Sequence, residues 1–245
     1  MTLPPLERAA LLLDLDGTLL DIAPRPDAVV VPTGLRDVLR RVRHRLDDAV
    51  AVVTGRPVET IDALLGDAVF AVAGEHGGAI RLCPGGALTR PDLPRPPAAW
   101  LEAVTRLVAA HPGTLFEPKA RGFTVHFRAA PAAEQDLRDA LLALLAGSND
   151  FELLSGLMMW EVRPSGVDKG TAVTTLMRHA PFAGRLPVFV GDDVTDEDGI
   201  AASVALGGVG LRVPESFGNA AGVRTWLARI AADGTWPCGS PIAPR

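Results

Sequence analysis

Ala9-Ala10-Leu11-Leu12-Leu13 runs without a polar interruption into Asp14-Leu15-Asp16-Gly17-Thr18. An unbroken apolar run is what a strand covered on both faces requires, whereas a half-exposed strand alternates. Strands covered on both faces belong to parallel sheets flanked by helices, and in such sheets ligands bind beyond the strands' C-terminal ends. Asp14 and Asp16 therefore stand where a ligand is expected.

The same logic extends outward. After breaks at Pro24, Pro26 and Pro32, a helix is predicted over 34–46, with Leu35, Val38, Leu39, Val42 and Leu46 on one face. Residues 49–53 read as a second strand ending at Thr54-Gly55-Arg56, 58–65 as a helix, and 69–73 as a third strand ending at Gly74-Glu75-His76-Gly77-Gly78. Strands and helices alternate, so the predicted class is α/β, a doubly wound parallel sheet of Rossmann-like type. After Ile80 the rhythm changes. Residues 83–97 are rich in Pro and Gly and read as a linker. A helix over 98–110, a strand over 124–127, a helix over 132–145 and strand material over 151–162 then make an α+β pattern. A helix over 169–179, a strand over 186–190 and a last short strand over 204–206 return to the first pattern. The expected division is a core of residues 1–95 and 165–245 around an α+β insert of 96–164, with a frayed tail over 236–245.

Bulk chemistry narrows the class. A hydrophobic fraction of 48% and a charged fraction of 22% fit a folded globular chain. The net charge of −5 and the absence of Tyr argue against nucleic acid, which needs a basic face and stacking platforms. The apolar run at 9–13 is too short for a signal-peptide core, and the uncharged stretch at 199–211 falls short of the ~20 residues that span a bilayer. Cys83 and Cys238 lack metal-binding spacing. The expectation is a cytoplasmic protein without nucleic-acid or membrane partners.

Three acidic or hydroxyl-bearing junctions suit one reaction. In Asp14-Leu15-Asp16, two carboxylates one residue apart can divide the work, one attacking phosphorus and the other handling a proton. Thr54-Gly55-Arg56, at a predicted helix start, offers a hydroxyl and N–H groups to a phosphate oxygen, although the same residues would serve as a helix cap. Gly191-Asp192-Asp193-Val194-Thr195-Asp196-Glu197-Asp198 packs five acids into seven residues, a hard-oxygen set suited to Mg²⁺. Glu197 and Asp198 read instead as a helix N-terminus. Lys169, at another predicted helix start, can neutralise phosphate charge.

The order Asp-x-Asp, Thr, Lys, Asp-Asp at element junctions resembles the haloacid dehalogenase superfamily. Asp14 to Pro24, Gly74-Glu75-His76-Gly77, Lys119 followed by His126-Phe127-Arg128, Glu161-Val162-Arg163-Pro164 with Lys169-Gly170, and Gly191 to Asp198 together resemble the trehalose-6-phosphate phosphatase family. The likeness runs from Leu11 to about Gly210, with Phe127 where that family usually has Tyr. It implies that Asp14 is the nucleophile and Asp16 the acid–base group, with Thr54 and Lys169 on the phosphoryl oxygens. It also implies Mg²⁺ on Asp14, Asp192 and the Asp16 carbonyl, supported by Asp193 and Asp196. The implied substrate is trehalose 6-phosphate, and a trehalose-phosphate synthase is a conceivable partner.

For the sugar, Glu117, Lys119, Arg121, His126, Arg128, Glu161 and Arg163 form a polar set within the insert, and Arg56, Glu75 and His76 complete the expected substrate contacts, although His76 reads equally as a buried structural histidine. A disaccharide needs many hydrogen bonds, and charged partners make the stronger ones. Some of these groups could equally pair with one another on a solvated sheet face. Two other functions remain open at this point: a phosphatase for another sugar phosphate, and a catalytically silent sugar-phosphate-binding domain.

Overall fold

A computed structural model describes residues 2–25, 28–90 and 92–237. Pro26, Cys238 and the rest of the expected tail lie outside the described residues. The chain forms two compact units, one from Met1–Arg90 and Asp168–Arg245, the other from Pro91–Val167. The first unit opens with β1 (Ala9–Leu13), α1 (Leu35–Arg45), β2 (Val50–Val53), α2 (Val58–Leu65), β3 (Ala71–Gly74), β4 (Ala79–Arg81) and β5 (Leu88–Thr89). The second holds α3 (Ala98–Ala110), β6 (Leu115–Pro118), β7 (Phe123–His126), α4 (Glu134–Leu145), β8 (Phe151–Gly156) and β9 (Met159–Pro164). The chain returns to the first unit with α5 (Lys169–Leu176), β10 (Leu186–Gly191), α6 (Glu197–Ala205), β11 (Val209–Arg212), α7 (Val213–Ser216) and α8 (Ala220–Asp233).

The first unit's sheet has the order β11-β10-β1-β2-β3-β4-β5. Its five strands from β11 to β3 pair in parallel, and β4 and β5 join antiparallel at the edge. Every residue of β1 is buried because alternate side chains enter two cores. Leu11 and Leu13 pack with Leu39 and Val42 of α1 and with Val223 and Leu227 of α8. Ala10 and Leu12 pack on the other face with Val173 and Leu176 of α5 and with Phe189. Each leucine so buried is worth about 1.5–3 kcal/mol relative to exposure, which is why a central strand carries no polar residue. The strand expected over 204–206 is not one: Val204 closes α6, and the strand is Val209–Arg212. The loop expected over 83–97 contains the two-residue β5, too short to show a period. Trp236, expected in a frayed tail, stacks on Trp226 with centroids 5.4 Å apart and donates from Nε1 to the Pro4 carbonyl at 2.6 Å.

The second unit is an antiparallel sheet, β6-β7-β9-β8, whose apolar face carries Phe123, Val125, Trp160, Val162 and Phe151 against Val104 of α3 and Leu137 and Leu141 of α4. The stretch 151–162 splits into two strands through Leu157 and Met158, the latter at φ 59°. Strand β6 escaped the sequence because four residues ending in Pro give no alternation to read.

Candidate active site

The Asp14 N–H donates to the Val190 carbonyl at 2.9 Å, so the ends of β1 and β10 lie side by side. Asp14 and Asp192 leave those ends into the same space. The turn after β1 passes so close to β10 that a Cβ on Gly17, which sits at φ +79°, would lie 2.0 Å from Asp192 Oδ2. Only glycine fits there. Thr18, which sequence reasoning did not single out, donates from Oγ1 to Asp192 Oδ1 at 3.2 Å and is fully buried. Its signal was its place in the Asp-x-Asp-Gly-Thr motif.

Lys169 is the first residue of α5, and Asp168 caps that helix through the Thr171 N–H at 2.6 Å. The cap fixes the backbone from which Lys169 Nζ reaches Asp14 Oδ1 at 2.8 Å and Asp196 Oδ1 at 2.6 Å. The other oxygen of Asp196 accepts the N–H groups of Asp192 and Asp193 at 3.0 and 3.1 Å, which ties the acidic loop to the lysine. Asp193 accepts from the Thr195 N–H and hydroxyl at 2.8 and 2.7 Å, capping the turn. Glu197 starts α6 and pairs with Arg212, as a residue at a helix N-terminus does.

Carboxylate oxygens of Asp14, Asp192 and Asp196 lie within 4.8 Å of one another. Three carboxylates around one ammonium leave an excess of two negative charges. The strain shows in the proton affinities. Burial pushes Asp14 well above the usual carboxylate range, with Lys169 opposing and Asp196 and Asp192 adding to the rise. Burial also lifts Asp192 to about 6, helped by the charges of Asp196 and Asp193. Burial works against the charge on Lys169, but Asp14, Asp196 and Asp193 outweigh it and raise its pKa. A divalent cation matches both the oxygen donors and the excess charge.

Asp16 does not join this cluster through its side chain. Arg56 holds it, with Nε at 2.5 Å from Oδ2 and Nη2 at 2.8 Å from Oδ1. Thr54 is buried, and its Oγ1 accepts the Arg56 N–H at 3.3 Å. The next loop rests on this one: the Glu75 N–H donates to the Arg56 carbonyl at 3.0 Å, and that of His76 to the Thr54 carbonyl at 2.9 Å. Glu75 and His76 both adopt positive φ, 52° and 56°, which costs of order 1–3 kcal/mol each and recurs at functional loops. Glu75 Oε1 accepts from Arg90 at 2.6 Å, while its buried Oε2 has no hydrogen-bond partner among the described residues.

A model of the trehalose-phosphatase family matches residues 12–211, from β1 to β11. The chain belongs to the trehalose-phosphatase family. It is 36% identical over 227 residues to the trehalose-6-phosphate phosphatase of Escherichia coli (strain K12), covering 91% of this chain and 83% of that protein. It is 38% identical over 213 residues to a probable trehalose-phosphate phosphatase of Sinorhizobium fredii (strain NBRC 101917 / NGR234), covering 85% and 78%. A bifunctional trehalose-6-phosphate synthase/phosphatase of Thermoproteus tenax is 34% identical over 203 residues, 78% of this chain but 26% of that one. Among solved structures, the C-terminal domain of the C. albicans trehalose-6-phosphate phosphatase shares the fold, with a TM-score of 0.74 at 21% identity and 92% of each chain covered. A haloacid dehalogenase-like hydrolase from Bacteroides thetaiotaomicron shares it at a TM-score of 0.58 and 13% identity, covering 80% of this chain and 85% of that one.

In this family member the strand residues of the polar set expected in the second unit fall on the sheet face opposite the helices. Glu117, Thr124 and Glu161 are direct cross-strand neighbours. Lys119 Nζ donates to Glu161 Oε1 at 2.7 Å, His126 Nε2 lies 2.7 Å from Glu117 Oε2, and Arg163 Nε donates to Glu152 Oε1 at 2.8 Å. The hydrogen bond from His126 holds the Glu117 carboxyl below its usual range. Thr124, unnamed by sequence reasoning, sits in the middle of this row with a buried hydroxyl that has no hydrogen-bond partner among the described residues. Arg128 lies beyond the end of β7 and is exposed.

Proposed function

We propose that this chain hydrolyses trehalose 6-phosphate to trehalose and phosphate through a phospho-aspartate on Asp14. The observation that carries the reading is the buried Asp14–Lys169–Asp196 contact, which joins a strand end, a helix start and an acidic loop in a chain of this family. Asp14 Oδ attacks phosphorus, and the P–O bond to the sugar breaks as Asp16 gives that oxygen a proton. Water then attacks the acyl phosphate, and Asp16 takes the proton back. Thr54 and Lys169 contact the phosphoryl oxygens. Lys169 keeps Asp14 aimed and offsets charge where both groups are buried.

Asp14 and Asp192, with the Asp16 carbonyl, would hold Mg²⁺, and Asp193 and Asp196 would orient that set. Mg²⁺, when bound, supplies the positive charge that lets a carboxylate and a phosphate dianion approach. The second unit, proposed as the substrate-recognition cap, reads the sugar through Glu117, Lys119, His126, Glu161 and Arg163. A trehalose-phosphate synthase is the proposed partner, since the Thermoproteus tenax relative's name joins both activities.

A phosphate-release screen over sugar phosphates, with and without Mg²⁺, tests the reading. Trehalose 6-phosphate should lead the panel and require the metal. Preference for a different sugar phosphate would overturn the substrate, and no release from any would overturn the chemistry.

A further inference from the structure

We infer that Arg56 is a positioning residue for Asp16, holding the acid–base carboxylate in the orientation that delivers its proton to the leaving group. The inference rests on the reading of Asp16 as that acid–base group. Arg56 was expected among the substrate contacts, yet its guanidinium meets both Asp16 oxygens, at 2.5 and 2.8 Å. A two-point contact fixes the plane of a carboxylate as well as its position, which a single ammonium cannot do.

The backbone of Arg56 is itself held from several sides. Its N–H donates to Thr54 Oγ1 and its carbonyl accepts from Glu75. A Cβ on Gly74 would lie 2.7 Å from that carbonyl, and one on Gly55 would lie 2.5 Å from His76 Nε2. Two glycines and two left-handed residues thus let the loops after β2 and β3 pack together with Arg56 between them. The side chain is only 16% exposed, and it grips a carboxylate 33% exposed that would otherwise turn freely on a loop. Strain stored in the second loop is then part of what aims Asp16.

The role makes a prediction that substrate binding does not. A positioned general acid matters most when the departing oxygen is basic and least when it leaves readily unprotonated. In kcat/KM, which reports on the steps through phosphoryl transfer, the loss in R56A should therefore grow along a series of sugar-free aryl phosphates. We expect a loss within ~3-fold for p-nitrophenyl phosphate, rising to ~30-fold or more for phenyl phosphate, measured with saturating Mg²⁺. R56K, which keeps the charge but loses the planar fork, should show the same graded loss at smaller size. In a D16N background, R56A should change kcat/KM by less than ~2-fold, because the group it acts through is gone. An equal loss across the series, full recovery in R56K, or additive losses in the double variant would overturn the inference. If D16N itself shows no graded loss, the assignment of Asp16 fails first and takes this role with it. A graded D16N with an ungraded R56A condemns the role of Arg56 alone.

Discussion

At the strand ends of the first unit, Asp14 and Asp196 share one ammonium and Asp192 stands beside them with no ion pair among the described residues, whereas on the sheet of the second unit each acid has a basic partner. Glu161 meets Lys119, Glu117 meets His126, and Glu152 meets Arg163. Both regions hold buried charge, so burial alone does not tell the proposed reaction centre from the proposed recognition surface. The balance of charge does. Burial, with the neighbouring negative charges adding to it, raises the proton affinity of Asp14 and Asp192, and the surplus charge asks for a cation, while a balanced set can trade its internal hydrogen bonds for sugar hydroxyls without leaving a charge uncompensated.

The largest effect should come from Asp14→Asn, which removes the nucleophile and nearly keeps its shape. Phosphate release should fall by at least ~10⁴-fold. Thermal stability should hold or rise, because one of three crowded carboxylates is gone. More than a few per cent of residual activity would break the comparison at its reactive end.

Metal removal comes next. EDTA should silence the enzyme, Mg²⁺ should restore it, and Asp192→Ala should cost ~10²-fold or more at moderate Mg²⁺. The pH dependence sharpens this. Asp192 has a folded pKa of about 6, above that of an unfolded aspartate, so its contribution to stability is present below roughly pH 4 and lost as pH rises through 6. Mg²⁺ would bind the ionised carboxylate, so the rise in Tm on adding Mg²⁺ should grow between pH 5 and 7. Melts at pH 5, 6 and 7 check it, and an increment constant with pH would count against a surplus-charge site.

In the balanced region the effects should be smaller and substrate-dependent. Lys119→Ala or Glu161→Ala should lower kcat/KM for trehalose 6-phosphate roughly ten- to a hundredfold, the equivalent of about 1.5–3 kcal/mol for one hydrogen bond to a charged group. Turnover of an aryl phosphate should stay within ~3-fold. Equal losses on both substrates would erase the distinction between the two regions. The smallest change belongs to Glu152→Gln: its side chain is 40% exposed, so the pair with Arg163 should be worth about 0–1 kcal/mol of stability, read as a shift in melting midpoint.

Legibility followed how local each signal was. Asp14, Asp192 and Lys169 were readable because each sits where an element begins or ends, and a change of hydrophobic period marks such junctions within a few residues. Val204 was misread because an apolar, β-branched residue before two glycines looks like a strand. The glycines instead let β11 start hard against its neighbour: a Cβ on Gly208 would lie 2.0 Å from the Pro187 carbonyl. Thr124 gave no warning, since only the pairing of three strands places its hydroxyl between Glu117 and Glu161. Trp236 looked like tail until its ring met Trp226.

By itself, then, the amino-acid order determined the class of fold, the positions of the chemical groups along the chain and the kind of reaction they suit, because period and punctuation are properties of neighbouring residues. Tertiary structure alone decided who partners whom. Lys169 reaches Asp14 across 155 residues and Thr18 reaches Asp192 across 174, contacts set by the order β10-β1-β2 and by the start of α5. The contact of Arg56 with Asp16 was likewise decided in space, since the two residues lie 40 apart in the chain and only the packing of loops brings them together.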